Sequence, residues 1–250
     1  YINNPILLPL FVFGFYKFIY HIQKMHSLSS GFQFGWLFGF GFFLSSMYWI
    51  INPFLIYEKH YFLAPFVIIL FPFLMGIFFG IASFIILFFL SINQINESKY
   101  LRCFAITISL FFSEYLRSFI FGGLPFNLVA HIWSFDERFL KIVSFVGVYG
   151  LSFLTFYWLT LLGLDRIKLN HKFLFSLILF PSFLFSLSFL NSDSNFNESG
   201  EVKIRIVQPN ISQKNKWDKT LFQNHIDKLI RLSIEDIKDS HLIVIWPEVA

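Results

Sequence analysis

The 250 residues are 56% hydrophobic and 22% aromatic, and only 14% are charged. Soluble domains usually carry about a quarter of charged residues, so a water-soluble globule is excluded for most of the chain, and the long apolar runs exclude disorder, collagen and coiled coil. The net charge is only +4, which implies no nucleic-acid partner. We interpret the chain as an integral membrane protein.

Six apolar runs are predicted to cross a membrane as α-helices. About 20 apolar residues span the hydrocarbon, and continuous rather than alternating runs disfavour a β-barrel. The runs cover residues 5–22, 32–51, 61–91, 103–121, 142–163 and 173–190. The third run is so long that we expect tilt, a bend at Pro65 or Pro72, or an extension beyond the bilayer. Together the runs predict a polytopic α-helical bundle over residues 1–190.

Positive charges in the short loops predict which side of the membrane each loop faces. Loops on the cytoplasmic side carry an excess of Lys and Arg. The loops after the first, third and fifth runs, with the ends of those runs, hold seven of these residues, and the opposite side holds three. The richer loops cover residues 23–31, 92–102 and 164–172. We therefore place them in the cytoplasm and the last sixty residues outside.

Glycines recur at helical spacing within the second and third runs. Gly31, Gly35 and Gly39 follow one another at four-residue steps, and Gly76 and Gly80 repeat that step. Small residues on one helix face let two backbones approach closely in a membrane. The pattern predicts close packing between helices and needs no functional explanation.

The composition changes abruptly after Leu190. Residues 191–200, with the sequence NSDSNFNESG, are predicted to form a polar linker. Residues 201–250 then show the pattern of a strand, a helix and a strand, which predicts the start of an α/β domain. The three elements are predicted at 202–208, 218–238 and 242–246, with Thr220 and Gln223 as a capping box for the helix.

Glu248 is the candidate catalytic residue. It follows the apolar strand LIVIW and Pro247, and ligands in α/β sheets bind at the carboxyl ends of strands. A carboxylate that is partly desolvated there has a raised pKa, which suits a general base. An ordinary loop carboxylate is the alternative.

Four separated motifs resemble one enzyme family in the same order. VKIRIVQPNISQKNKWD, followed one helix later by HLIVIWPEVA, looks like the opening of a nitrilase-type domain. The apolar part carries GFQFGWLFGFGFFLSSMYWI, SEYLRSFIFGGLPFN and VSFVGVYGLSFL. The combination resembles the bacterial apolipoprotein N-acyltransferases, and it extends over nearly the whole chain.

The resemblance implies an acyltransferase of the bacterial inner membrane with a periplasmic nitrilase-like domain. Its substrates would be a phospholipid acyl donor and the α-amino group of the diacylglyceryl-cysteine at a lipoprotein's N-terminus. A cysteine thiolate would carry the acyl group as a thioester, so no cofactor is expected. Glu248 matches the Glu of the family's Glu, Lys and Cys triad. We expect a monomer.

The resemblance leaves two members of that triad unassigned. The family's Lys and Cys lie further along the domain than residue 250, and we expect the chain to be an inactive fragment that lacks both ends of the parent protein. Cys103 is the single cysteine. It is predicted near the cytoplasmic end of a span, so we interpret it as a packing thiol.

Five further residues are candidates for substrate binding. Trp217 matches a tryptophan that helps position the acyl substrate in the family, although it could equally cover a sheet edge. Glu114 and Arg117 lie one helical turn apart inside a span. They either orient the following loop as an ion pair or contact a lipid headgroup. Pro125 and Asn127 lie in that loop, which in the family lies beneath the catalytic domain.

Other chemistries find little support. The seven histidines show no metal-ligand spacing, so no metal site is predicted. Neither a serine-hydrolase elbow nor a phosphate-binding glycine loop is recognisable.

Three rival interpretations stay open. One is a membrane-anchored nitrilase-type amidase, although an anchor would need one span rather than six. Another is a transporter with an accessory domain, which predicts polar residues along a path at mid-membrane. The third is a degenerate copy that never had the complete triad.

Overall fold

The computed structural model describes residues 7–120, 123, 125–164, 171–189, 203–213, 215–235 and 242–247. The chain forms two compact units. One unit comprises Tyr1–Ile51 and Leu63–Asn191, and the other comprises Asn52–Phe62 and Ser192–Ala250. The predicted linker at 191–200 lies outside the described residues, so the domain boundaries stay a prediction.

The first unit is built almost entirely of helices. Its α-helices are α1 (Leu8–Ile22), α2 (Leu28–Ser46), α3 (Ala64–Met75), α4 (Ile77–Leu90), α5 (Asn93–Glu97), α6 (Lys99–Arg117), α7 (Val143–Gly163) and α8 (His171–Ser186). Short 3₁₀ helices cover Tyr48–Leu55, Glu58–Leu63, Val129–Trp133, Glu137–Leu140 and Leu187–Phe189. Most of the first two belongs to the second unit, which includes Asn52–Phe62.

Two of the described helical stretches are long and apolar enough to cross a membrane. They are Glu58–Leu90, which has 33 residues, and Val143–Gly163. A third results if Leu28–Ser46 and Tyr48–Leu55, bent by 52° relative to each other, form one broken span. Six spans therefore stay a prediction, while a helical membrane unit agrees with the structure.

Two helices begin four residues earlier than their apolar runs indicate, because serines cap them. The Ser27 hydroxyl accepts a hydrogen bond from the Ser30 N–H at 3.3 Å, and the Ser98 hydroxyl accepts one from the Leu101 N–H at 3.4 Å. Such caps satisfy amide groups that have no partner within the helix. They extend α2 and α6 into polar sequence that hydrophobicity alone assigns to loops.

The structure also shows which of the features expected for the third run, a bend or an extension, occur. Pro65 lies in the first turn of α3, where its missing N–H costs nothing, so no bend is required there. Pro72 lies inside α3, and the helix passes into α4 at Gly76 with helical backbone angles. The run is therefore one long helical stretch with an extension before Ala64.

The predicted glycine contacts are confirmed, because α2 packs backbone to backbone on α4. A Cβ atom added to Gly39 would lie 2.8 Å from the Gly76 carbonyl oxygen and 2.8 Å from the Phe79 Cβ. A Cβ atom on Gly35 would overlap the Ser83 side chain. Nothing larger than hydrogen fits at either position.

Phenylalanines fill the core between α1, α2 and α4. Phe18 stacks on Phe38 with ring centroids 4.4 Å apart, and Phe15 meets Phe38 edge to face at 5.3 Å. Phe79 of α4 contacts the same group, with its ring 5.3 Å from that of Phe38. Offset and edge-on contacts of this kind stabilise aromatic pairs beyond the area that they bury.

One predicted helix is interrupted. The run at 142–163 corresponds to α7, but Gly147 has φ 70° and ψ 173°, so the helical backbone breaks there. Only glycine adopts these angles without strain. The apolar pattern continues across the break, which is why hydrophobicity did not reveal it.

The second unit contains the predicted strand, helix and strand. Strands β1 (Lys203–Ile206) and β2 (Leu242–Ile245) pair in parallel, with Ile206 opposite Ile245. Helix α9 (Phe222–Ile234) lies between them in sequence. The expected capping box is wrong, because the helix begins after Leu221 and Thr220 instead donates to Asp218.

Candidate functional site

Glu114 and Arg117 both bind the segment that follows α6. Glu114 Oε2 accepts a hydrogen bond from the Val129 N–H at 2.7 Å. Arg117 donates from Nη1 to the Phe126 carbonyl at 2.6 Å and from Nη2 to the Asn127 carbonyl at 3.4 Å. The two charged residues are only 9% and 2% exposed. Their opposite charges, one helical turn apart, attract each other as well.

Helix α7 holds the same segment from another side. Ser152 Oγ accepts from the Ala130 N–H at 3.3 Å, and the Trp133 indole N–H donates to Thr155 Oγ1 at 2.9 Å. Ser152 also hydrogen bonds the Glu114 carboxyl group. Ser152 and Thr155 are completely buried. We call residues 126–133 the docked segment and Glu114, Arg117, Ser152 and Thr155 the polar clamp.

The clamp bears on the two interpretations of Glu114 and Arg117. Both side chains are buried and hydrogen bond to backbone groups of the chain, which agrees with a role in orienting the loop after the span. The choice between this role and a headgroup contact stays a prediction. Buried charges are stable only when they are paired and hydrogen bonded, and the docked segment supplies these partners.

The other two loop candidates differ in their surroundings. Pro125 is exposed. Asn127 is half-buried and has a left-handed backbone with φ 53°, which asparagine tolerates better than most residues. Its carbonyl faces Arg117, so its backbone rather than its side chain makes the contact that fixes the loop.

Trp217 lies in a tight turn between β1 and α9 and is 66% exposed. Asp218 fixes this turn by accepting from the Thr220 N–H at 2.9 Å and from the Thr220 hydroxyl at 2.7 Å. These bonds to Thr220 lower the pKa of Asp218 below its usual value. The indole borders a shallow recess that Lys216, Lys219 and Phe222 also line.

Glu248 comes three residues after the end of β2 in the sequence and lies outside the described residues. Ile206 and Ile245 pair at the carboxyl ends of their strands, so the segments after both strands leave the same edge of the sheet. Trp246 is held there, because its indole N–H donates to Ser233 Oγ of α9 at 2.8 Å. The catalytic assignment of Glu248 stays a prediction.

Cys103 is buried near the start of α6, with 2% of its surface exposed. Glu114 lies eleven residues further along the same helix, about 16 Å along its axis. The packing interpretation of Cys103 agrees with this burial. Among the described residues, no three His, Cys, Asp or Glu side chains are close enough to share a metal ion.

Sequence reasoning missed Ser152, Thr155 and the docked segment. A signal was present, since Ser152 and Thr155 are hydroxyl residues one turn apart in a mostly apolar span. Hydroxyl groups in membrane helices often bond neighbouring elements. Their partners could not be read from the sequence, because Ala130 and Trp133 lie in a short 3₁₀ helix 22 residues away that has no periodic signal.

The fold and the site define a class of protein. It is a helical membrane protein that carries an α/β unit with a parallel strand pair. The family described as the apolipoprotein N-acyltransferase N-terminal domain matches residues 4–161, more than half of the chain. The chain therefore belongs to the apolipoprotein N-acyltransferase family.

Curated relatives with the name apolipoprotein N-acyltransferase match most of the chain. The protein of Rickettsia prowazekii (strain Madrid E) is 34% identical over 260 residues, which cover 100% of this chain and 50% of the relative. That of Rickettsia typhi is 32% identical over 96% of the chain and 47% of the relative, and that of Brucella suis biovar 1 is 28% identical over 86% and 41%. The chain spans about half the length of these relatives. No solved structure matches it.

Proposed function

We propose that this chain belongs to an enzyme that transfers an acyl chain from a phospholipid to the α-amino group of a lipoprotein's N-terminal diacylglyceryl-cysteine. The observation that carries the proposal is the family match over residues 4–161, together with 34% identity along the whole chain to a relative of that name. Both substrates carry lipid chains, which accounts for a large membrane unit in addition to the α/β unit.

In the proposed reaction Glu248 acts as general base. It takes the proton of a cysteine thiol, and the thiolate attacks the ester carbonyl of the phospholipid. The acyl chain forms a thioester, and the lysophospholipid leaves as an alcohol that takes the proton back from Glu248, which becomes a carboxylate again. The lipoprotein amine then attacks the thioester, gives up a proton to Glu248 and releases the thiol. A lysine stabilises the oxyanion in both steps. We propose that sequence following Ala250 supplies this lysine and cysteine.

The remaining assignments follow from the same proposal. Trp217, in the turn between β1 and α9, would contact the acyl substrate. The polar clamp, by contrast, shapes the bundle. The enzyme would be a monomer of the bacterial inner membrane with six spans in this chain, and the α/β unit would lie in the periplasm.

The decisive experiment replaces Glu248 in the full-length protein. We expect Glu248→Gln to abolish the thioester, detected by mass spectrometry as a hydroxylamine-sensitive acyl adduct, and to lower kcat/KM by about 10² or more. Glu235→Gln is the matched control, since Glu235 is an exposed carboxylate just after α9. Equal acylation by the Glu248→Gln protein and the unmodified protein would contradict the proposal.

A further inference from the structure

Two buried polar atoms lie where the polar clamp meets the docked segment. They are Glu114 Oε1 and Asn127 Nδ2, and neither has a hydrogen-bond partner among the described residues. The other carboxylate oxygen of Glu114 accepts from the Val129 N–H at 2.7 Å, so the described part of the chain satisfies one oxygen and not the other. Buried polar atoms are nearly always hydrogen bonded in folded proteins, because leaving one unpaired is costly. The two atoms therefore point to a ligand.

Both residues line the same small cavity, which has a volume of about 20 Å³. A cavity needs at least about 10–15 Å³ to hold one water molecule, so this cavity has room for a single water and for no larger ligand. Its apolar wall includes Phe43 of α2, Ala82 of α4 and Phe156 of α7. These three side chains are completely buried. The cavity therefore lies in the interior of the first unit.

The polar groups at the cavity match the hydrogen-bonding capacity of water. The Nδ2 group of Asn127 is a donor, and Oε1 of Glu114 is an acceptor. Ser113 also lines the cavity, and its hydroxyl donates to the Phe78 carbonyl, so its oxygen retains a lone pair that can accept. One water can therefore accept from Asn127 and donate to Glu114 and Ser113. Buried waters typically make about three hydrogen bonds.

The charges around the cavity favour a neutral ligand. Glu114 by itself would attract a cation, but Arg117 lines the same cavity and carries the opposite charge. The Asn127 Nδ2 group is a donor and would repel a cation, while Glu114 would repel an anion. Water both donates and accepts, so it suits a cavity that offers both kinds of group.

We infer that this cavity binds one structural water molecule, which links the Asn127 side chain to Glu114 and Ser113 of α6. The Asn127 carbonyl already accepts from Arg117 of the same helix. The water adds a contact from the side chain, so both parts of Asn127 are tied to α6. This double attachment holds the left-handed backbone with which the docked segment begins. The bound water is a part of the polar clamp and does not depend on the acyltransferase chemistry.

The test is hydroxyl-radical footprinting of the full-length protein in detergent micelles. A short X-ray pulse converts water, including bound water, into hydroxyl radicals, which oxidise the side chains that they meet. Phe43 and Phe156 line the cavity, whereas Phe15 and Phe18 do not. All four rings are similarly buried, with exposed fractions of 1% or 2%. We expect Phe43 and Phe156 to be oxidised several-fold faster than the other two rings, as measured by mass spectrometry of peptides.

Filling the cavity provides the second arm. Ala82→Val adds two methyl groups to a side chain of the cavity wall, so it should displace the water. Oxidation of Phe43 and Phe156 should then fall to the level of the other buried rings. Ala105→Val is the matched control, because Ala105 is also a buried helix residue but does not line the cavity. It should leave the oxidation of Phe43 and Phe156 unchanged.

Two results would overturn the inference. One is oxidation of Phe43 and Phe156 that is no faster than oxidation of Phe15 and Phe18 in the unmodified protein. The other is equal oxidation of the cavity rings in Ala82→Val and Ala105→Val. The first comparison needs no substitution, so a variant that fails to fold leaves the test intact. Acyl transfer is not measured, so failure of the proposed function would leave the footprinting result unchanged, and the reverse also holds.

Discussion

Trp133 and Thr155 form a hydrogen bond in the interior of the bundle, with the indole Nε1 2.9 Å from the hydroxyl oxygen and both side chains completely buried. The Thr155 hydroxyl in turn donates to the Leu151 carbonyl at 2.7 Å. The Trp133 ring also packs against Trp158 and Phe180. The docked segment is therefore anchored at its far end by one polar contact inside an aromatic cluster.

Removing this hydroxyl should destabilise the bundle. Thr155→Val leaves the indole N–H buried without an acceptor, which costs about 1–3 kcal/mol. Denaturant unfolding in detergent micelles measures the loss. Thr155→Ser keeps the acceptor and should retain most of the stability. Equal unfolding free energies for Thr155→Val and Thr155→Ser would show that the hydrogen bond contributes nothing.

The glycine contact between α2 and α4 predicts opposite effects at two nearby positions. Gly39→Ala should lower the unfolding free energy by about 1–3 kcal/mol, because its Cβ would overlap Gly76 and Phe79. Gly41→Ala, on the same helix, meets no atom within 4 Å. It should raise stability by up to about 1 kcal/mol, since alanine favours the helix. Both variants are compared in the same micelles, and a neutral Gly39→Ala would contradict the close contact.

Arg117 should not tolerate replacement by lysine. The guanidinium reaches two carbonyls of the docked segment at once, and an ammonium group lacks this fork. We expect Arg117→Lys to speed hydrogen exchange of the amides at 126–130, as measured by mass spectrometry. Arg138→Lys provides the control, because Arg138 is exposed and pairs with Asp136. Unchanged exchange in Arg117→Lys would instead favour the headgroup interpretation.

Trp217 should affect activity without affecting stability. It is largely exposed, and surface substitutions usually change stability by less than about 0.5 kcal/mol. In the full-length protein, Trp217→Ala should reduce kcat/KM for acyl transfer, whereas Phe222→Ala, which removes another exposed ring beside the same recess, should reduce it less. A loss of stability with unchanged kcat/KM would identify Trp217 as a structural residue.

Asp136 predicts a pH effect at the start of the 3₁₀ helix Glu137–Leu140. Hydrogen bonds from Arg138 lower its pKa from 3.8 to about 2. Because the folded-state pKa is depressed, this stabilisation is fully present above pH 3.8 and is lost as the pH falls through about 2. Asp136→Asn should remove that part of the pH dependence of unfolding. Arg138→Met should reduce it, because the side-chain bonds are lost while the backbone N–H of residue 138 still donates to Asp136. An unchanged profile in both variants would refute the assignment.

Local patterns were sufficient for some features of the fold. The alternation in KIRI and the apolar run LIVI each predicted a strand, and the segment between them predicted a helix. The structure adds that the two strands pair in parallel. The four-residue steps from Gly35 to Gly39 and from Gly76 to Gly80 likewise indicated a close helix contact. In each case the structure depends on the spacing of neighbouring residues.

The candidate site depends on partners that spacing does not specify. Glu114 and Arg117 were recognisable as buried charges, because ionisable groups inside a span are costly. Which backbone groups they bind depends on how residues 126–130 fold back, and that path has no periodic signal. The break at Gly147 was hidden for a related reason, since a glycine within an apolar run predicts nothing about its backbone angles.

The strand pair of the α/β unit has a consequence for how this part of the protein behaves by itself. Ile204 and Ile206 are 58% and 77% exposed on β1, and Ile243 and Ile245 are similarly accessible on β2. Two parallel strands with uncovered apolar side chains are not independently stable in water. A peptide of residues 201–250 alone should stay unstructured. Its apolar strand segments would then favour aggregation, and it should be cleaved by proteases and bound by chaperones.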